Sequence, residues 1–196
     1  MDDLEPRIFD PQELERRVLL KAAGLGLLVF MVDGAQVMMT AGQARAQSIP
    51  FRVLDAHEAE TIEALGETLV PGARQAGVSH FIDQQISAPP GEALLEARIV
   101  NVKPPFVNFY RAAIAGVDKA SESRHGRAFS AISAGEQAAL VDLMRQNKIE
   151  GWQGPPAGLV YFVLRSDAVD VVFGTMEGYA ALGVPYQPHI APESKW

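Results

Sequence analysis

The sequence predicts a mainly α fold: a compact bundle of about five helices carrying an extended, aromatic, Pro/Gly-rich C-terminal tail. Three observations predict it. Two capping boxes, Asp55 to Glu58 and Ser133 to Glu136, set an acceptor and a returning carboxylate three residues apart, which satisfies helix-start amides that have no other partner. Apolar residues recur at three- and four-residue spacing between such starts. Proline and glycine gather between the periodic segments and again after Gly174.

Taken in order, Ser48 to Leu54 reads as an extended arm leading to the Asp55 box. Ala59, Ile62, Leu65 and Leu69 then mark an amphipathic helix that Val70-Pro71-Gly72 ends. Val78, Phe81, Ile82, Gln85 and Ile86 predict a second helix from Ala73 to Ser87, broken by Ala88-Pro89-Pro90-Gly91. Glu92 to Val102 fits a short helix. Pro104 and Pro105 suit the first turn of the next, whose Phe106, Phe109, Tyr110, Ala113, Ile114 and Val117 form a wide core-facing stripe. Ser121 to Gly126 reads as a polar connection. The Ser133 box opens a helix with Ala139, Leu140, Leu143 and Met144 apolar, and Gln146 to Pro156 is a loop carrying Trp152. Leu159 to Phe173 is rich in β-branched residues, yet Leu159, Phe162, Val163, Ser166, Val169 and Phe173 keep helical spacing. That stripe is expected to face inward, with Arg165, Asp167 and Asp170 mainly on the other side. After Gly174 helix signals stop, and Tyr179, Tyr186, His189 and Trp196 are candidate anchors for a partner, because aromatic side chains on stiffened segments bind well.

The first 46 residues read differently. Met1 to Leu14 is an acidic leader with two prolines. Arg16 and Arg17 are followed by Val18, Leu19, Leu20 and Lys21, and then by an apolar run from Ala22 to Val32. That pattern resembles a twin-arginine signal, which exports already folded proteins across a bacterial inner membrane. Arg16, Arg17, Leu20 and Lys21 fit it; Glu15 and Leu19 depart from the usual residues at their positions. Ala44 and Ala46 have the small-residue spacing that a signal peptidase accepts, which makes Gln47 the expected first mature residue and divides the chain into a 1–46 signal and a 47–196 domain. The alternative is a retained anchor. Ala22 to Ala41 has about the 20 residues that span a bilayer, although Asp33 in its middle and several glycines weaken that reading.

Composition agrees with export. Of the 196 residues none is cysteine, so the chain has no disulfide, no thiolate metal site and no covalent haem attachment of its own. The formal charge is −7 with pI ≈ 5.1 and no basic cluster beyond the leader, which argues against nucleic acid as a partner. About 150 residues remain after the leader, enough for one ordinary domain.

Chemistry has little to stand on. His57, His80, His125 and His189 are scattered and make no metal-binding pair. His57 falls in a first helical turn and is expected to be exposed; His80, beside Phe81, reads as a half-buried or interface histidine. No nucleophile elbow, phosphate loop or dinucleotide fingerprint is present. The helix carboxylates are spread as a solvated face would have them, so no catalytic, cofactor-binding or metal-ligating residue is expected in this chain.

Glu67-Thr68-Leu69-Val70-Pro71-Gly72-Ala73, Ala76-Gly77-Val78 and Phe81-Ile82-Asp83 together resemble the opening of the gluconate 2-dehydrogenase subunit 3 family. Tyr110 with its small-residue helix, then Phe129 and a capped helix, continue the resemblance. The tail from Asp170 to Pro192 departs from the Gly-Gly-Asn pattern common there and is similar to a branch associated with sugar and polyol dehydrogenases. The resemblance implies a small, cofactor-free, non-catalytic subunit of a periplasmic complex associated with the inner membrane. Its partners would be a large FAD-dependent dehydrogenase of the glucose-methanol-choline type and a multihaem cytochrome c, with FAD, c-type haem and any iron–sulfur cluster held by those partners. The small subunit would carry the signal read by the twin-arginine translocase for both chains. An independent periplasmic or membrane-anchored ligand-binding module is the competing expectation.

Overall fold

A computed structural model describes residues 7–8, 26–32 and 34–184, which form a three-stranded sheet, eight helices and one 3-10 turn. The strands are β1 (Arg7–Ile8), β2 (Leu27–Val32) and β3 (Ala35–Thr40), antiparallel in the order β1-β3-β2. The helices are α1 (Ala41–Ala46), α2 (Ala56–Leu69), α3 (Val78–Ser87), α4 (Glu96–Ile99), α5 (Phe106–His125), α6 (Ala134–Arg145), α7 (Ala157–Phe173) and α8 (Met176–Ala181); the 3-10 turn is Phe129–Ala131. Five of the helices have ten residues or more, as the periodicity predicts.

Both capping boxes form. Asp55 Oδ1 accepts from Glu58 N at 2.8 Å and Glu58 Oε2 accepts from Asp55 N at 3.0 Å; Ser133 and Glu136 repeat the exchange at the start of α6. The core is built from α2, α3, α5, α6 and α7, with Ile62, Leu65, Ile82, Val117, Leu140 and Val160 at most 1 % exposed. Three carboxylates inside it tie the elements together. Asp83 on α3 accepts the backbone N–H groups of Arg52, Val53 and Leu54, each at 2.9 Å, so the arm before α2 is fastened by a side chain and forms no strand. Asp118 on α5 accepts from Phe129 N at 2.9 Å and Thr61 Oγ1 at 3.3 Å, and meets His57 Nε2 at 2.9 Å. Asp167 on α7 accepts from Tyr110 Oη at 2.6 Å and Glu96 N at 2.9 Å. The expectation that the helix carboxylates form only a solvated face is corrected here: Asp83, Asp118 and Asp167 are all buried. His57 keeps its exposure, while His80 is buried against Phe51 and Ile49 O.

Other differences have local causes. Helix α3 starts at Val78 and not at Ala73, because Gly77 adopts φ +82°, a left-handed value that cannot continue a helix. Helix α5 runs on through the polar residues 121–125 and stops at Gly126, also left-handed. Helix α4 is four residues long because Asn101 turns at φ +60°. After Gly174 the chain forms one more helix, α8, with Thr175 Oγ1 accepting from Gly178 N, so Tyr179 sits on a helix and not in an extended tail. Helix α7 exists but is turned. Its inward residues are Val160, Val163, Leu164, Asp167, Ala168 and Val171, while Phe162 is 45 % exposed. A helix that is apolar on all sides offers no stripe from which to read its rotation.

The largest departure is at the N-terminal side. Residues 27–40 form a two-stranded hairpin and not a helical apolar run, so the reading of Ala22 to Ala41 as a spanning helix does not hold for these residues. Among the described residues no helix is long and apolar enough to cross a membrane. The hairpin reverses between Val32 and Ala35, where Gly34 takes φ +83°. Phe30 pairs with Val37 and Leu28 with Met39, and this face closes a small second core with Ala44 and Ile49. Thr40 then caps α1 through a reciprocal exchange with Gln43.

Candidate functional site in the groove beside the hairpin

Where the hairpin meets the end of α7, the surface opens into a groove of about 850 Å³. One side is lined by Leu27, Leu28 and the start of α1, the other by residues 170–175 and α8; Phe81, Ala76 and Leu94 complete the lining. The walls approach each other at Gly26, where an added Cβ would lie 3.0 Å from Thr175 Cγ2. The lining is mostly apolar for reasons visible in the chain. Helix α7 carries Val171, Val172 and Phe173 in a row, so no rotation hides all three. Leu94, 49 % exposed, stands on the break between α3 and α4, held by Leu94 N donating to Gln85 Oε1 at 2.6 Å.

The groove holds few polar groups. Thr40 and Gln43 serve the α1 cap. Asp170 is the one ionisable residue among those lining the groove; partial burial, then the nearby Glu96 carboxylate, raises its pKa above the usual carboxylate value. Among the described residues no group of three histidine, aspartate or glutamate side chains could hold a metal ion. Such a lining accepts apolar groups, whether of a ligand or of a partner's side chains, and offers few convergent donors and acceptors for a polar substrate. The apolar character continues outside the groove: Phe162 on α7 and Ile99 on α4, 67 % exposed, lie on elements packed against each other. Arg165 and Asp170 are also exposed on α7, so its outward side is mixed, with Phe162 as its exposed apolar residue.

The model of the family described as gluconate 2-dehydrogenase subunit 3 matches residues 56–190, more than two thirds of the chain. The chain belongs to the gluconate 2-dehydrogenase subunit 3 family. No curated protein and no solved structure gives a match. As a subunit 3 family member the chain is a component of an oxidoreductase complex and has a dehydrogenase partner.

The residues singled out from the sequence fall in three places in this subunit. Arg16, Arg17, Leu20 and Lys21 lie outside the described residues, as do Tyr186, His189 and Trp196. Tyr179 is half-buried on α8, one residue from the groove-lining Gly178. Ala44 and Ala46 both lie on α1; Ala44 is fully buried and Ala46 exposed. The groove itself was not foreseen. Leu94 beside a Pro-Pro-Gly break and the triple apolar run at the end of α7 are the signals that mark it, but only the hairpin turns them into one surface.

Proposed function

We propose that this chain is a non-catalytic small subunit that docks a large FAD-dependent sugar, polyol or gluconate dehydrogenase and accompanies it through the twin-arginine route to the periplasm. The single observation that supports docking is the apolar groove beside the end of α7, on a chain whose family consists of dehydrogenase subunits. The flavin belongs to the partner in this reading; a multihaem cytochrome c would accept the electrons, and the small subunit holds the flavoprotein in an export-competent, folded state. Arg16-Arg17 followed by an apolar run supports folded export, the route a cofactor-loaded partner needs.

Leu94→Asp tests the docking surface. The side chain is half-exposed, so the change is expected to leave the free subunit's stability within about 1 kcal/mol. It should weaken capture of the flavoprotein about tenfold or more, since a desolvated anchor contributes at least about 1.4 kcal/mol. Retained wild-type capture, measured by co-purification at matched expression, would remove the groove from the interface. Export is tested separately. Replacing Arg16 and Arg17 by lysine is expected to leave both chains in the cytoplasm on fractionation. A flavoprotein that still reaches the periplasm would contradict co-export.

A further inference from the structure

The expected mature N-terminus, Gln47, conflicts with the packing of the residues before it. A signal peptidase reads a cleavage segment in extended form, with its small side chains presented to the enzyme. Here Ala44 is fully buried on a capped helix, and Ala41, 5 % exposed, lies against the turn before α3. At that contact an added Cβ on Gly77 would stand 2.2 Å from Ala41 O, a close approach that only glycine permits. Arg45 Nε bonds Glu63 Oε1 on α2 at 3.1 Å, and Glu63 also accepts from Arg74 and Ser79. Phe30, Val37 and Met39 fill the second core, Met39 to 1 % exposure. The close approach of Gly77 to Ala41 and the Arg45–Glu63 pair join residues 27–46 to the main domain.

We propose that residues 27–46 are a permanent part of the mature subunit, that processing after Ala46 does not occur, and that this segment supplies one wall of the partner-docking groove. The wall's role rests on the docking reading above; the retention of the segment does not. Leu27, Leu28, Thr40 and Ala41 line the groove, so a chain beginning at Gln47 would lose that side of it and expose the faces of α2 and α3 beneath.

Two measurements test retention without reference to docking. The intact mass of the subunit purified from its exported or membrane-bound complex is expected to correspond to an N-terminus at or before Leu27. An N-terminus at Gln47, or anywhere between residues 28 and 47, would overturn the proposal. The second measurement uses Met39→Ala. A residue that is discarded with a leader cannot alter the thermal stability of the purified mature protein. With the segment retained, truncating a side chain at 1 % exposure should lower Tm by roughly 5–15 °C. An unchanged Tm would overturn retention, and if the variant fails to accumulate the wild-type mass alone decides. Should the mass show retention while Leu94→Asp captures the flavoprotein normally, retention stands and the docking reading falls.

Discussion

Asp167→Asn is expected to remove most of the loss of stability that the wild-type subunit suffers between about pH 4 and pH 7. Burial pushes the Asp167 carboxyl up from 3.8 to about 7, against the bonds from Tyr110 Oη and Glu96 N, which favour the charged form; the carboxylates of Asp170 and Glu96 add to the rise. The folded state therefore holds this proton over a range where the unfolded chain has released it. Stability from this group is fully present below about pH 4 and declines as pH rises through the folded value. The decline has a ceiling of about 4 kcal/mol, from roughly three pKa units at 1.36 kcal/mol each. Asparagine imitates the protonated acid: its Oδ1 can accept from Glu96 N while its Nδ2 donates toward Tyr110 Oη. Urea unfolding at pH 4.5 and pH 8 should show the variant gaining on wild type by about 3 kcal/mol between the two conditions. Parallel curves for the two proteins would mean that Asp167 is ionised in the fold throughout.

Asp83→Ala should be the most damaging of the single substitutions in the interior that leave the packing volume almost intact. The carboxylate accepts three consecutive backbone N–H groups, one of them, on Leu54, buried and two partly buried. Each buried donor left without a partner costs about 1–3 kcal/mol, so the total is expected near 3–5 kcal/mol, with Tm lower by roughly 10 °C. Asp83→Asn keeps one acceptor oxygen and turns an amide toward the remaining N–H, so about half that loss is expected. Thermal unfolding of the two variants beside wild type checks both figures. Equal stability of alanine variant and wild type would show that water replaces the carboxylate and that the arm is not fastened by it. The arm carries Ile49 and Phe51 onto His80, so its release is also expected to loosen the seat of the hairpin.

The helices were legible because their signals are local. Asp55 to Glu58 and Ser133 to Glu136 are read within four residues, and both boxes form as read. Three kinds of structure were not legible, each for a physical reason. The rotation of α7 cannot be read from a segment with no clear apolar stripe, and Asp167 reads as its solvent face although two donors 57 and 71 residues away offset part of the cost of burying it. Asp83 and Asp118 carry the same lesson, since their partners are distant backbone amides and, for Asp118, also the distant Thr61 hydroxyl and His57 ring. The hairpin did have a local signal. Asp33-Gly34 between runs containing Val29, Phe30, Val32, Val37 and Met39 is a strong turn dipeptide. An apolar run behind Arg16 and Arg17 also satisfies the description of an export signal, and composition alone does not distinguish the two over the same residues. The groove was out of reach for a related reason: its walls lie more than 120 residues apart in the chain, so no stretch of sequence displays it.

The proposed role of this chain, accessory partner of a flavoprotein, has a direct test. The most direct test is to purify it through a C-terminal tag from periplasm and from detergent-solubilised membranes, and to record the absorption spectrum and the masses of everything that comes with it. A flavin spectrum together with a second chain of dehydrogenase size is the result expected. A colourless, monodisperse single chain, with the tag shown not to block assembly, would contradict that role and favour a solitary ligand-binding module.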